Sequence, residues 1–186
     1  MRCFISLNIN EDVKEEIQNI QNELKKYLGE SKRHLIRWEK KEKFHITLFF
    51  LGDVAPNMVN DLIRELEFIK FKPNSNIFFH ADSINAFPRL RYPRVLFVDM
   101  YNKDKKALIL YNKIYQVLKL FKFEPDKKFH PHITLGRVKK DQKMNLTDLE
   151  DEIKFKIDLS INSFYLMESK LDYRGSVYKV TKRFTL

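Results

Sequence analysis

The tetrapeptide His-Ile-Thr-Leu occurs twice in this chain of 186 residues, at positions 45–48 and 132–135. In a β-strand, residues at i and i+2 project from the same face. His45 and Thr47 therefore point together, as do His132 and Thr134, while the intervening Ile and Leu residues point into an apolar layer. If the two strands face one another, two imidazoles and two hydroxyl groups surround one small space.

This set of side chains suits chemistry at phosphorus. Imidazole titrates near neutral pH, so one histidine can act as a general base and the other as a general acid. The two threonine hydroxyls can donate hydrogen bonds to the non-bridging oxygens of a phosphate held between them. In-line displacement needs a base on the attacking side and an acid on the leaving side, and one histidine from each motif meets that need.

Other catalytic arrangements have less support. His130 and His132 form a His-X-His pair, but Lys43 stands at the position of the first motif that corresponds to His130. Neither a cysteine ligand nor a His-Glu-X-X-His sequence completes a zinc site. The only cysteine, Cys3, is isolated, and the sequence has no nucleophile elbow and no glycine-rich phosphate loop. We therefore expect acid–base catalysis without a metal or other cofactor.

Two residues beside the motifs are harder to place. Strict alternation puts Arg137 on the strand face opposite His132, where it would be an ordinary solvated side chain. A β-bulge at Gly136 would turn it towards the histidine, or it could act from the end of the strand. Alternation also puts Phe49 on the face of His45. It could stack there on a nucleobase, although lining the cleft wall is the expected role.

The elements that carry the motifs are repeated too. Alternating apolar residues predict a strand at residues 2–9, and a helical pattern follows it; the same succession begins again at residues 94–100. The pentapeptides SINAF (83–87) and SINSF (160–164) occupy corresponding places. Each half of the chain is therefore predicted to have the order β-α-β-α-β.

From this repetition we predict an α+β fold in which the two halves are related by a pseudo-twofold axis. The sheets should be mostly antiparallel and face a central cleft, with the helices outside. No Pro/Gly/Ser-rich linker separates the halves. We therefore expect a single bilobal domain over residues 1–186, with pseudo-repeats at about 1–90 and 91–186.

Composition favours a folded protein with a polyanionic partner. There are 35 Lys and Arg against 25 Asp and Glu, a formal net charge of +10. Such a surface suits nucleic acid, and it equally suits a lysine-rich proteome in which surface lysines serve solubility. No apolar run approaches a membrane span and the start is unlike a signal peptide. We expect a cytoplasmic monomer with no membrane association and no obligate protein partner.

The doubled motif, taken with its surroundings, resembles the two-histidine phosphoesterase superfamily. Within it the chain is most similar to the RNA 2′,3′-cyclic phosphodiesterases, also known as the 2′-5′ RNA ligase family. The resemblance covers nearly the whole length. It is carried by RCFISLNI at the start, Trp38 before FHITLFFLG, AFPRLRYPRVLFV in the middle, then PHITLGR, and LMESKLDYRGSVYKV near the end.

The resemblance implies hydrolysis of a 2′,3′-cyclic phosphate at an RNA terminus to a 2′-phosphate, without metal or cofactor. His45 would be the general acid that protonates the departing 3′ oxygen and His132 the base that activates water, although the two labels are interchangeable. Thr47 and Thr134 would bind the phosphate, and Arg137 would add positive charge. Weak reverse ligation to a 2′-5′ junction could occur at the same site.

Two alternatives stay open at this stage. One is a non-catalytic module that binds RNA ends, because the basic clusters beside both motifs fit binding as well as turnover. The other keeps the chemistry and changes the substrate to a small cyclic nucleotide, a cyclic ADP-ribose phosphate or a 2′-5′ linkage. The width of the cleft and its contacts to the base would decide between these substrates.

Overall fold

The structure, a computed structural model, describes the chain except for residues 72–74, 126–127 and 174 and the side chains of residues 150 and 151. The strands are β1 (Arg2–Asn8), β2 (Ile36–Trp38), β3 (His45–Asp53), β4 (Ile77–Ala81), β5 (Ile84–Phe87), β6 (Val95–Asp99), β7 (His132–Val138), β8 (Ile157–Ile161), β9 (Ser163–Asp172) and β10 (Gly175–Thr185). The helices are α1 (Glu11–Arg33), α2 (Pro56–Glu67), α3 (Lys106–Leu120) and the short α4 (Leu149–Glu152), with a 3₁₀ turn at Lys41–Lys43. None of the described helices is long and apolar enough to cross a lipid bilayer.

The α+β class and the antiparallel pairing of the strands are confirmed. Seven strands form one path in the order β10-β9-β1-β3-β7-β6-β5, and β2 pairs with β7 to complete an eight-stranded sheet. A separate two-stranded sheet consists of β4 and β8. The order is symmetric about the junction of β3 with β7. Going outwards, β1 and then β9 follow on one side, and β6 and then β5 occupy the corresponding positions on the other. A pseudo-twofold axis would produce such an order.

The prediction that two sheets face each other across a cleft is wrong. The two motif strands are hydrogen-bonded neighbours in one sheet, and they pair through Ile46 and Ile133. Edge-to-edge pairing satisfies backbone groups that two separate sheets would leave open at their edges. Beyond this pair β3 diverges, and β2 takes its place beside the last residues of β7, from Gly136 to Val138.

The two halves of the chain exchange strands. β5, from the first half, pairs with β6 of the second half, while β9 from the second half pairs with β1 of the first. Each half of the sheet is therefore completed by a strand from the other half of the sequence. This exchange makes the two halves structurally interdependent.

One face of the sheet packs on the helices. Ile46 and Ile133, both fully buried, belong to a core that includes the apolar stripes of α1 and α3. The stripe of α1 follows from helical spacing, and its first turn is capped by Asn10, whose side chain accepts a hydrogen bond from the Val13 N–H at 2.9 Å. Because Ile46 and Ile133 face this core, their sequence neighbours project from the opposite face.

A buried amide ties α1 to the second motif strand. Gln21 lies on the buried side of α1, and its Nε2 donates to the carbonyl oxygens of Glu39 at 2.8 Å and Leu135 at 2.9 Å. The Leu135 carbonyl also accepts a hydrogen bond from the Glu39 N–H at 2.9 Å. The helix, the end of β2 and the centre of β7 are thereby held in one arrangement.

We expect Gln21→Met to lower the free energy of unfolding by about 1–3 kcal/mol, because it leaves buried carbonyl oxygens without their side-chain donor while nearly keeping the side-chain volume. Urea denaturation followed by circular dichroism measures this. Gln116→Met, at an exposed position of α3, is the matched control and should change stability by less than about 0.5 kcal/mol. Equal effects of the two substitutions would show that the Gln21 bonds contribute nothing.

Candidate active site

The single backbone pair between β3 and β7 brings both motifs together. Because Ile46 opposes Ile133 in an antiparallel register, the register sets His45 opposite Thr134 and Thr47 opposite His132. All four side chains project from the face away from the core. The two imidazoles and two hydroxyl groups predicted to converge therefore surround one point of the sheet.

Each imidazole is oriented by the same backbone contact. Nδ1 of His45 lies 2.6 Å from the carbonyl oxygen of Lys43, and Nδ1 of His132 lies 2.7 Å from that of His130. A carbonyl oxygen only accepts hydrogen bonds, so Nδ1 must carry a proton in both residues. Nε2 is then the nitrogen left to exchange protons in the site. Nε2 of His45 lies 3.0 Å from the hydroxyl oxygen of Thr47, a potential phosphate ligand.

His45 stands in an aromatic and poorly hydrated surrounding. The rings of Phe4 and Tyr178 lie 5.1 Å and 5.5 Å from its ring, measured between centroids. Removal from water lowers the pKa of His45 from 6.5 to about 4, against the opposing effect of the bond to the Lys43 carbonyl. The nearby His132 lowers this pKa further, so the two motif histidines interact electrostatically.

His132 has a matching environment. Its ring lies 5.1 Å from that of Phe87 and 5.0 Å from that of Phe97. Removal from water is the main reason that its pKa is also below the ordinary value. Both imidazoles are therefore neutral at neutral pH while the site holds no anion.

The His-X-His pair that could suggest zinc has other contacts. Nε2 of His130 lies 2.8 Å from a carboxylate oxygen of the buried Asp99. The ring centroids of His130 and His132 are 6.3 Å apart. Within the part of the chain that the structure describes, no three His, Cys, Asp or Glu side chains converge as metal ligands would. Catalysis without a metal stays a prediction, and it is tested below.

A β-bulge turns Arg137 towards the site. In the pairing of β7 with β6, the partners of Thr134 and Gly136 are consecutive residues, so Leu135 is an extra residue without a partner. The sequence suggested a bulge at Gly136, and the structure has the bulge one residue earlier, at Leu135. The bulge reverses the alternation, and the exposed Arg137 lines the same pocket as His132.

The first motif strand has the same bulge at the corresponding residue, Leu48. The prediction that Phe49 shares the face of His45 is therefore wrong. Phe49 is 5% exposed, and its ring stacks on Tyr111 of α3 with centroids 4.2 Å apart. Phe50, which is 65% exposed, takes the place that the arginine occupies after the second motif. Its position could have been found in the sequence, since it follows its motif histidine at the same interval.

The aromatic side chains packed on the histidines were also missed. Phe4 belongs to a strand in which Cys3, Ile5 and Leu7 alternate as core residues, so that alternation already assigns it to the opposite face. An aromatic residue on the otherwise polar face was the available signal. Tyr178 had no comparable signal, because β10 reaches the site only through its pairing with β9.

We expect an NMR titration to give a pKa of about 4 for His45 and a value below 6.5 for His132. Inorganic phosphate should raise both values, because an anion between the imidazoles favours their protonated forms. The His45→Gln and His132→Gln variants assign the resonances. A His45 pKa at or above 6.5 in phosphate-free buffer would contradict the desolvated site described here.

Comparisons with known proteins find relatives along nearly the whole chain. The family described as LigT-like phosphoesterase matches residues 7–97 and 101–178. The RNA 2′,3′-cyclic phosphodiesterase of Thermotoga maritima is 31% identical over 97% of this chain and 92% of its own length. The protein of the same name from Archaeoglobus fulgidus is 28% identical over 96% of this chain and 97% of its own length.

Solved structures share the fold. TT0787 of Thermus thermophilus superposes with a TM-score of 0.81 at 22% identity, covering 100% of this chain and 98% of that one. LigT of E. coli complexed with 3′-AMP gives a TM-score of 0.77 at 21% identity, with 100% and 97% coverage. With the family match over most of the sequence and a relative at 31% identity, the chain belongs to the LigT-like phosphoesterase family.

Proposed function

We propose that this phosphoesterase hydrolyses the 2′,3′-cyclic phosphate at an RNA terminus to a 2′-phosphate, using His45 and His132 as an acid–base pair. The observation that carries the proposal is the convergence of two His and two Thr side chains on one face around the Ile46–Ile133 pair. The relatives named RNA 2′,3′-cyclic phosphodiesterase support the choice of substrate. The E. coli LigT complex with 3′-AMP supports a site of nucleotide size.

In the proposed reaction, Thr47 and Thr134 donate hydrogen bonds to the non-bridging phosphate oxygens, and Arg137 offsets the charge that builds up on them. His132 takes a proton from water through Nε2 as the water oxygen attacks phosphorus. The bond from phosphorus to the 3′ oxygen breaks, and His45 donates its Nε2 proton to that oxygen. His132 thus ends protonated and His45 ends neutral, the reverse of their starting states. Proton exchange with solvent restores the starting states.

The lowered pKa values constrain how His45 acquires its proton. With a pKa of about 4, it is neutral in the free protein at pH 7. A bound phosphodiester anion beside it stabilises the imidazolium and raises that pKa. The general acid is therefore charged in the presence of substrate, and the same desolvation makes its proton transfer to the leaving oxygen favourable. The bond from Nδ1 to the Lys43 carbonyl keeps the donated proton on Nε2.

An oligoribonucleotide ending in 2′,3′-cyclic phosphate should be converted to the 2′-phosphate in the presence of EDTA. His45→Ala and His132→Ala should each lower kcat/KM by about 10²–10⁴-fold, and the double variant should be little worse than either alone. Product analysis by chromatography and mass spectrometry measures this, with melting temperatures to verify folding. His34→Ala, at an exposed position outside the site, is the control.

The outcomes separate the competing functions. Binding of the oligonucleotide without product would identify a non-catalytic module that recognises RNA ends. Turnover of a cyclic mononucleotide or a 2′-5′ linkage alone would keep the chemistry and change the substrate. Loss of activity in EDTA, restored by a divalent cation, would contradict catalysis without a metal.

A substrate with sulfur in place of the 3′ oxygen distinguishes the acid from the base. A thiol has a pKa of about 8.5, so a thiolate leaves without help from a general acid. The fold loss of kcat/KM caused by His45→Ala should then be at least tenfold smaller on the sulfur substrate than on the oxygen substrate. The fold loss caused by His132→Ala should be similar on both. The reverse pattern would exchange the two assignments.

A further inference from the structure

A basic groove opens directly beside His45. It has a volume of about 640 Å³ and lies between the end of β2 with the following 3₁₀ turn and the hairpin of β9 and β10. Phe4 and Tyr178, which pack on the His45 ring, both line it. The groove therefore begins at the catalytic centre. We call it the β2 groove.

The walls of the β2 groove carry a large excess of positive charge. The cationic side chains that line it are Arg2, Arg37, Lys40, Lys43 and Arg137. Among the described residues, the only carboxylate in the lining is Glu39, and Lys43 already lies 3.7 Å from it. Arg2 is the cross-strand partner of Asp53. The other three cations, Arg37, Lys40 and Arg137, face a space that no described carboxylate other than Glu39 lines.

Two of these cations are held side by side by the backbone. Arg37 of β2 is the direct partner of Arg137 of β7, and like charges at directly opposed positions destabilise a sheet. Neither arginine forms an ion pair with any residue that the structure describes. Arg2 also lies near this pair, because all three arginines lower the pKa of Tyr178 against the larger raising effect of its burial. Unbalanced convergence of this kind is typical of a site for polyanions.

The cyclic phosphate itself does not require so many cations. The proposed reaction uses two threonines and Arg137 for the reacting phosphate. Arg2, Arg37 and Lys40 are left for other phosphate groups. A cyclic mononucleotide has none to offer, whereas an oligonucleotide has one at each internucleotide linkage.

The direction of the reaction places the RNA chain on this side. The departing 3′ oxygen belongs to the terminal ribose, and that ribose stays attached to the rest of the RNA. If His45 protonates that oxygen, the ribose and the chain behind it lie on the His45 side of the phosphate, where the β2 groove begins. The pocket that contains His132, of about 830 Å³, shares Arg137 with the β2 groove and has further cations in Arg94 and Lys128, but most of its wall is aromatic and apolar.

We propose that the β2 groove binds the phosphodiester backbone of the nucleotides that precede the cyclic terminus, so that the enzyme prefers RNA oligomers to cyclic mononucleotides. This inference rests on the proposed function. Phe50 and Trp38 stand in the same groove and offer aromatic faces on which bases can stack without sequence preference. Recognition is then of length and charge rather than of sequence.

The first test varies the substrate and uses the wild-type protein. We expect kcat/KM to rise at least tenfold from a cyclic mononucleotide to a short oligoribonucleotide with the same terminal nucleotide, and to level off as the groove is filled. An oligomer whose upstream linkages are neutral methylphosphonates should lose this gain. A gain that survives methylphosphonate substitution, or no gain at all, would overturn the groove assignment.

The second test varies the groove. In the double variant Arg37→Gln/Lys40→Gln, the ratio of kcat/KM for oligomer to mononucleotide should fall at least tenfold. For the oligomer, the slope of log KM against log salt concentration should become shallower by about 1.4. Each cation–phosphate contact on a single strand contributes about 0.7 to this slope, and the variant removes two cations. Lys103→Gln/Arg183→Gln removes the same charge at exposed positions outside the groove and should keep the wild-type ratio and slope.

The results also separate this inference from the function on which it rests. Equal turnover of oligomer and mononucleotide, unchanged in the groove variant, would overturn the groove assignment and leave the phosphodiesterase in place. Absence of turnover on both substrates by wild type would overturn the phosphodiesterase and the groove assignment together.

Discussion

The single backbone pair between Ile46 and Ile133 is the contact on which the rest of the molecule depends. It joins the two copies of the motif edge to edge and fixes their register, so that each histidine faces the threonine of the other copy. A slip of one residue in either strand would turn the histidine and threonine of that strand into the apolar core. The full burial of both isoleucines opposes that slip. The hydrophobic layer therefore determines the geometry of the face that carries both histidines and both threonines.

The symmetry of this arrangement covers the two motif strands and the groups that contact each imidazole. Both motif strands carry a bulge at the leucine, both histidines donate to the carbonyl two residues earlier, and both rings pack on two aromatic side chains. The residues beside these contacts differ between the two motifs. Arg137 follows the second motif, whereas Phe50 stands at the corresponding position after the first. His130 contacts the carboxylate of Asp99, whereas the residue that corresponds to His130 beside the first motif is Lys43. Unequal surroundings suit acid–base catalysis, in which one imidazole accepts a proton and the other donates one.

Much of the site could be predicted from the sequence because strand alternation is a local property. Counting alone placed His45 with Thr47 on one face of their strand and His132 with Thr134 on one face of theirs. The repeated tetrapeptide indicated that the two copies act together. The face of Phe49 was mispredicted because a bulge depends on the pairing of β3 with β1, a contact between strands distant in sequence. The edge pairing of β3 with β7 was missed for a similar reason: repetition predicts symmetry but does not specify which surfaces meet. The β2 groove depends on such contacts as well, since Arg37 and Arg137 are 100 positions apart in the sequence and neighbours in the sheet.

The exchange of strands between the halves has a consequence for synthesis of the chain. β1 (Arg2–Asn8) leaves the ribosome long before its partner β9 (Ser163–Asp172) is made. Until then one edge of β1, which carries Phe4 and Ile5, has unpaired backbone groups beside apolar side chains, a combination that invites association with other chains. The nascent protein therefore has to keep that edge protected until β9 has been made. Pairings this distant in sequence also slow the search for the native topology.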